Sequence, residues 1–279
     1  MPDGALCRDG AGLPEGPVSE AGSAQRRLAR LVQTLESDII PRLVKAHRVP
    51  GEPGSLPAEP WPDIVTFARL CHAPDEAPMH GLVQVLREAG VSVERLYLEL
   101  LAPAARELGR LWEADLCDFT DVTVGVGRLQ QLLRELSPAF GAEVDFPADG
   151  RRILLLPAPG EQHTLGTSMV AEFFRRAGWD VVGGVGGSGL DPVQLVQREW
   201  FDILGLSAGH HARQDWLREC IASVREVSRN RGIGVLVGGP LFAVAPEYGS
   251  SVGADASVTD GQRAPAVAES LLATRLNRL

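Results

Sequence analysis

Apolar positions recur along this chain at two periods, and the change falls near residue 150. From 61 to 136 they return every three or four residues, the spacing of one helix face. Ile64, Val65, Phe67, Ala68 and Cys71 predict a helix over 61–72. Asp75 can cap a second helix through Glu88, with Leu82, Val83, Val85 and Leu86 inside and Ala89-Gly90 ending it. Ser92 can cap a third, long helix with Leu96, Leu100, Leu101, Ala104, Leu108, Leu111 and Trp112 on one side. Asp118 can cap a fourth, carrying Val122, Val126, Leu129, Leu133 and Leu136. Pro138 is expected to stop it, because proline has no N–H for the helix ladder. Amphipathic helices with short connections predict a small antiparallel four-helix bundle.

From Arg151 the pattern becomes short apolar runs alternating with helical ones. Strands are predicted at 153–156, 181–185, 203–206, 235–237 and 256–258, with helices at 166–177, 192–200, 214–229, 241–248 and 263–275. Such alternation predicts a parallel sheet with right-handed crossovers. The fold class is therefore α/β: a C-terminal flavodoxin-like five-strand parallel sheet, order 2-1-3-4-5, preceded by a four-helix bundle. In that order the connections after strands 1 and 3 leave in opposite directions and flank a crevice at the carboxyl edge, where ligands bind.

Upstream of 61 the pattern is weaker. Residues 1–20 are rich in Gly, Pro, Ser and Ala and read as a disordered arm. Leu28, Leu31, Val32, Leu35 and Ile39 predict one more helix before Pro41, and 49–60, with four prolines and two glycines, reads as a linker. The expected organisation is an arm (1–20), a basic helix with a Pro-rich linker (21–60), a helical cap (61–140) and an α/β domain (150–279).

Composition narrows the function classes. Hydrophobic residues make up 44% of the 279, enough for real cores. No apolar run approaches the roughly 20 residues that span a bilayer. The N-terminus has no basic or apolar leader region, so a cytoplasmic protein with no membrane partner is expected. A formal net charge of −9 disfavours nucleic acid. The one basic stretch, Arg26, Arg27, Arg30, Arg42, Lys45 and Arg48, reads as a solvated helix face, and a protein partner is favoured over DNA. The cysteines Cys7, Cys71, Cys117 and Cys220 form no CxxC pair, and Cys71 and Cys220 sit in apolar helical runs as reduced thiols. A substrate barrel would need about 250 residues. No other catalytic constellation stands out, so a non-enzymatic protein is expected.

The chemistry gathers at the predicted carboxyl edge. Strand 1 is followed by Glu161-Gln162-His163-Thr164-Leu165-Gly166, strand 3 by Ser207-Ala208-Gly209, and strand 4 by Gly238-Gly239. Glu161 can take the proton of one ring nitrogen of His163 and leave the other free for a metal. Ser207 offers a hydroxyl, and the glycines let a large flat group approach the main chain. The glycine run after strand 2, 183–189, reads as a flexible loop, and His210 and His211 as a polar loop.

These motifs resemble the cobalamin-binding domain of the methionine-synthase and mutase type. That family carries Asp-x-His-x-x-Gly, then Ser-x-Leu, then Gly-Gly at similar spacings. The resemblance implies that His163 is the metal ligand, taking the lower position on cobalt. It implies that the displaced nucleotide tail slots between the sheet and a helix. The cofactor-binding set would be Glu161, His163, Gly166, Ser207, Gly209, Gly238 and Gly239, with Trp112 of the helical region over the upper face of the corrin. The chain departs from the pattern at two positions: Glu161 stands for Asp, and Gly209 for Leu. Val122 and Thr123 stand where photoreceptor relatives carry Glu-His, leaving His47, His72 and His80 as other imidazoles for the upper face. A histidine ligand suits iron as well as cobalt, so haem stays open as the alternative cofactor.

The overall plan, over roughly 60–279, resembles the AerR/PpaA antirepressors of photosynthetic bacteria. It implies adenosylcobalamin or hydroxocobalamin as cofactor, a light response, and a transcriptional repressor of the PpsR/CrtJ type as partner. The alternatives from other classes are a corrinoid methyl carrier of a methyltransferase system and a haem-based redox sensor.

Overall fold

The computed structural model describes residues 61–143, 150–161, 164–184, 189–209 and 213–276. The chain divides into two compact units, Met1–Glu59 and Pro60–Leu279, and every described residue belongs to the second. The arm and basic helix read from the sequence, His47 and Cys7 with them, lie outside the described residues, as do His163, His210, His211 and 185–188 of the glycine run.

The helical block comes first. Helix α1, Ile64–His72, is capped by Asp63, whose carboxylate accepts from the Thr66 N–H at 2.9 Å. Helix α2 is Ala77–Glu88. Helix α3, Val93–Leu96, starts at the expected Ser92 cap and runs through a π-helical turn, Tyr97–Leu101, into α4, Ala102–Glu113. Helix α5, Phe119–Ala142, opens on a reciprocal capping box between Asp118 and Asp121.

Two details depart from the sequence reading. The π turn was not foreseen. In it the Ala102 N–H bonds back to the Tyr97 carbonyl, and the next residue, Pro103, has no N–H to return to the ladder, so a widened turn suits it. Pro138 does not stop α5, which carries it in its interior. An interior proline costs about 3 kcal/mol. Tertiary contacts offset this. Phe140 is fully buried between Tyr97 and Phe173, with ring centroids 4.8 and 5.3 Å away. Burying such a ring stabilises by roughly 1.5–3 kcal/mol. One residue beyond α5, the Glu143 carboxylate accepts from the Val93 N–H at 2.9 Å and so caps α3 from a distance.

The second half is a parallel sheet in the order β2-β1-β3-β4-β5, as the alternation predicted. The strands are β1 Arg152–Pro157, β2 Asp180–Gly183, β3 Ile203–Ser207, β4 Gly234–Gly238 and β5 Ala256–Val258. The helices are α6 Thr164–Arg176, α7 Pro192–Arg198, α8 Gln214–Val227, α9 Pro240–Val244, α10 Tyr248–Ser251 and α11 Ala264–Leu276. The single helix expected over 241–248 is two short ones, broken around Pro246.

Register follows the period-2 rule. Leu154, Leu156, Leu204, Leu206, Val235 and Val237 face α7 and α8 in one core cluster. Ile153, Leu155, Ile203 and Leu236 face α6 and α11 in another, with Phe174 and Trp179. Helix α6 belongs to both halves. Its Leu165, Met169 and Phe173 join the bundle core, while Ala171 and Phe174 pack on the sheet. This division of one helix surface seats the bundle on the α/β half. Among the described residues no helix is long and apolar enough to cross a membrane.

Candidate functional site

Three strand ends line up at the carboxyl edge. Pro157 pairs in register with Ser207, and Ser207 with Gly238. The chain leaving β1 turns at once: Ala158-Pro159-Gly160-Glu161 closes with the Glu161 N–H bonded to the Ala158 carbonyl at 3.0 Å. Proline at the second position and Gly160 at the third, with φ 71°, make this a type II turn. The turn brings Glu161 onto the loop after β3, where its Oε2 accepts from the Gly209 N–H at 2.6 Å. Gln162 and His163, which join Glu161 to α6 in sequence, lie outside the described residues.

The loop after β4 packs on the loop after β3. The Leu241 N–H bonds to the Ala208 carbonyl at 3.1 Å, and the Ala208 N–H to the Gly238 carbonyl at 3.0 Å. Gly239 has φ 98°, and a Cβ there would stand 2.7 Å from the Ala208 carbonyl oxygen and 2.8 Å from the Ser207 hydroxyl. Both its backbone and its surroundings demand glycine. The Gly-Gly pair thus serves the close packing of two loops as well as the open space beside them.

That space is a cavity of about 1500 Å³ between the helical block and the α/β half. Ligand pockets for drug-sized molecules run roughly 300–1,000 Å³, so this one suits a larger ligand. One arm runs between the sheet and helices α6 and α11, past Leu155, Gly205, Val170 and Val258. Ser207, Gly166, Gly238 and Gly239 line it near the carboxyl edge. The opposite wall is helical and includes Trp112, Arg106, Phe119 and Gln130. Trp112 is 52% exposed and Phe119 64%, high for large aromatics, and both border the cavity. The structure therefore brings Gly166, Ser207, Gly238, Gly239 and Trp112 to one cavity, while Glu161 and Gly209 meet beside it.

Sequence reasoning missed Thr167, the polar group that speaks most directly for a ligand. It lines the cavity, is 3% exposed, and its hydroxyl has no hydrogen-bond partner. A buried unpaired hydroxyl costs about 1–3 kcal/mol, and a ligand that bonded to it would remove that cost. Gln130 was missed as well. Its amide donates to the Thr164 hydroxyl at 2.9 Å and joins α5 to the start of α6 at the cavity wall. Neither residue belongs to a spacing motif. Only the phase of α6 relative to the bundle reveals them.

The other imidazoles lie elsewhere. His72 sits 3.6 Å from the Asp121 carboxylate and His80 3.5 Å from Glu135, and neither lines the cavity. Among the described residues no group of three or more His, Cys, Asp or Glu side chains could hold a metal by itself. A tetrapyrrole brings its own equatorial nitrogens and asks the protein for only one or two axial ligands. Cys71 and Cys220 are free and buried as expected, and burial pushes both thiols up to about 12.

Comparison with known proteins adds three findings. The family described as B12 binding domain matches residues 151–268. An uncharacterized 20.5 kDa protein in the bchF-crtJ intergenic region of Rhodobacter capsulatus is 32% identical over 184 residues, covering 65% of this chain and 94% of the relative. The monomethylamine corrinoid protein of Methanosarcina barkeri superposes with a TM-score of 0.62 at 17% identity, covering 74% of this chain and 96% of that one, which establishes a shared fold.

Proposed function

We propose that this chain, a member of the B12-binding-domain family that is also similar to the Rhodobacter capsulatus protein, is a cobalamin-dependent transcriptional regulator. In this reading it acts as an antirepressor, engaging a repressor of the PpsR/CrtJ type as the resemblance to the AerR/PpaA proteins implies. The relative, named for the bchF-crtJ intergenic region, supports the tie to such a repressor.

The observation that carries the reading is the two-walled cavity with an orphaned hydroxyl in it. Its residues fit a flat macrocycle with a tail. The side along the sheet is apolar, with glycine and hydroxyl residues along it, and an indole borders the helical wall. Within the proposal His163 would hold the cobalt and Glu161 would orient its imidazole. Ser207 and Thr167 hydrogen-bond the tail, Gly166, Gly238 and Gly239 give it room, and Trp112 shields the opposite side. When bound, cobalamin supplies a cobalt centre whose upper ligand exchanges and is sensitive to light. The chain supplies the response. Because α6 shares its side chains between the bundle core and the sheet, a change at either wall bears on how the helical block is seated.

The test loads the purified protein with adenosylcobalamin in the dark, records its spectrum before and after illumination, and measures repressor affinity in both states. The expected result is cobalamin bands that change on illumination, with a matching change in affinity. H163A should shift the bands by removing the lower ligand. A Soret band in the protein as purified would assign haem instead. Equal repressor affinity in the two states would remove the light response, and no binding in either would remove the regulator.

A further inference from the structure

The two loops that flank the crevice between β1 and β3 are joined by a short side-chain contact. Glu161 Oε2 accepts from the Gly209 backbone N–H at 2.6 Å in a half-buried setting. The same oxygen lies 2.6 Å from where a Cβ on residue 209 would stand, and the carboxyl carbon 3.3 Å from it. A carbon cannot sit 2.6 Å from that oxygen unless something shifts. Gly209 is not glycine for the sake of its backbone. Its φ lies outside the left-handed region, in contrast to Gly160 and Gly239, which carry φ 71° and 98°. What the missing side chain leaves is room for the Glu161 carboxylate in this position. On its other side the loop of Glu161 is approached by Arg213, whose Nη2 lies 2.8 Å from the place of a Gly160 Cβ. The segment after β3 thus approaches the segment after β1 from two directions, and bonds it at Gly209.

We infer that Gly209 is a positioning residue: its bare Cα and its N–H together form the seat of the Glu161 carboxylate. Glu161 and Gly209 are the two positions at which the chain departs from the Asp-x-His and Ser-x-Leu patterns. The geometry makes them one compensated pair, in which the extra methylene of Glu161 reaches into the volume left by the missing side chain at 209. A carboxylate anchored by a charge-assisted bond to backbone has a fixed aim. The functional consequence, a fixed orientation for the imidazole two residues on, rests on the cofactor reading above. The contact itself does not.

The test is a double-substitution cycle with wild type, G209A, E161D and G209A/E161D, each measured as apoprotein for unfolding midpoint and with hydroxocobalamin for dissociation constant and visible spectrum. G209A should weaken hydroxocobalamin binding by about tenfold, as expected for losing one charge-assisted hydrogen bond, and shift the bands. E161D should do likewise, because the shortened side chain withdraws from the seat. In the E161D background the added methyl has nothing to strike, so the double variant should bind no more weakly than E161D alone. Wild-type affinity in G209A, or losses that multiply in the double variant, would overturn the inference. If wild type takes up no corrinoid, the cofactor reading fails while the apoprotein cycle still decides the contact: coupled midpoints uphold it and additive midpoints overturn it. If G209A fails to fold, folding restored in the double variant upholds the inference, and folding not restored overturns it.

Discussion

The two faces of the central sheet are made from the same strands and differ in one respect, the size of alternate residues. Toward α7 and α8, β3 presents Leu204 and Leu206 and β4 presents Val235 and Val237, all 3% exposed or less. That face is packed along its length. Toward α6 and α11 the same strands present Ile203, Gly205 and Ser207, and Gly234, Leu236 and Gly238. Here the layer is filled near Ile203, Phe174 and Trp179 and opens toward the carboxyl edge into the cavity. The opening is not made by polar residues breaking a core. It is made where the small residues Ser207 and Gly238 stand in register at the strand ends, whereas the room at Gly205 and Gly234 is taken by Leu155, Ile203 and Leu271.

The largest expected effect comes from damaging the packed face. Phe201 is fully buried there, with the Arg152 guanidinium 4.8 Å from its ring. F201A should lower stability by about 3–5 kcal/mol in urea titrations, as large-to-small changes of core aromatics do. The folded fraction should keep its cobalamin stoichiometry. A loss of binding without a loss of stability would mean that the two faces are not independent.

The converse substitution is G166L on the open face. A Cβ at Gly166 meets nothing within 4 Å, and the residue is exposed at the cavity in helix α6. Leucine there should raise stability by about 0.5–1 kcal/mol through helix propensity. It should also protrude into the cavity and weaken cobalamin binding by about tenfold, roughly 1.4 kcal/mol. Thermal denaturation and equilibrium dialysis on one preparation read both. A more stable variant with unaltered affinity would place the ligand elsewhere.

T167V is subtler. It removes an orphaned hydroxyl at nearly constant volume, so apoprotein stability should hold or rise slightly. Affinity for cobalamin should fall by about 1 kcal/mol, while cobinamide, which lacks the nucleotide tail, should bind wild type and variant alike. An equal loss for both corrinoids would move Thr167 away from the tail.

Last comes an effect on the packed face and the bundle that shows only in alkaline solution. Cys220 and Cys71 titrate at about 12 when folded against an ordinary 9.0. Their folded values are raised, so their contribution to stability is complete below pH 9 and is lost as pH rises toward 12. Stability of the wild type should fall over that window more steeply than that of C220A/C71A, read from urea midpoints at each pH.

The α/β half was legible in detail because its signals are local. Strand runs, the helix following each, and the order 2-1-3-4-5 follow from periodicity and the handedness of crossovers. The caps Ser92 and Asp118 were legible for the same reason. Pro138 misled because a local penalty of a few kcal/mol was outweighed by Phe140, Tyr97 and Phe173, residues brought together from three separate helices. Thr167 was illegible because a threonine on a helix shows its importance only once the helix has neighbours on two sides.

By itself, then, the order of residues determined which segments are strands and helices, how the strands are arranged, and which loops bear Glu161, Ser207 and Gly238. The first and last of these depend on repeats of two or 3.6 residues within a single element, and the arrangement of the strands on the few orders that right-handed crossovers allow. The tertiary structure alone decided that Trp112 shares a cavity with Ser207, that Glu161 fills the space beside Gly209, and that the Thr167 hydroxyl is left without a partner. Each of these is a distance between elements remote in sequence, and such distances are set by how side chains of particular volumes interlock when helix α6 is wedged between the bundle and the sheet.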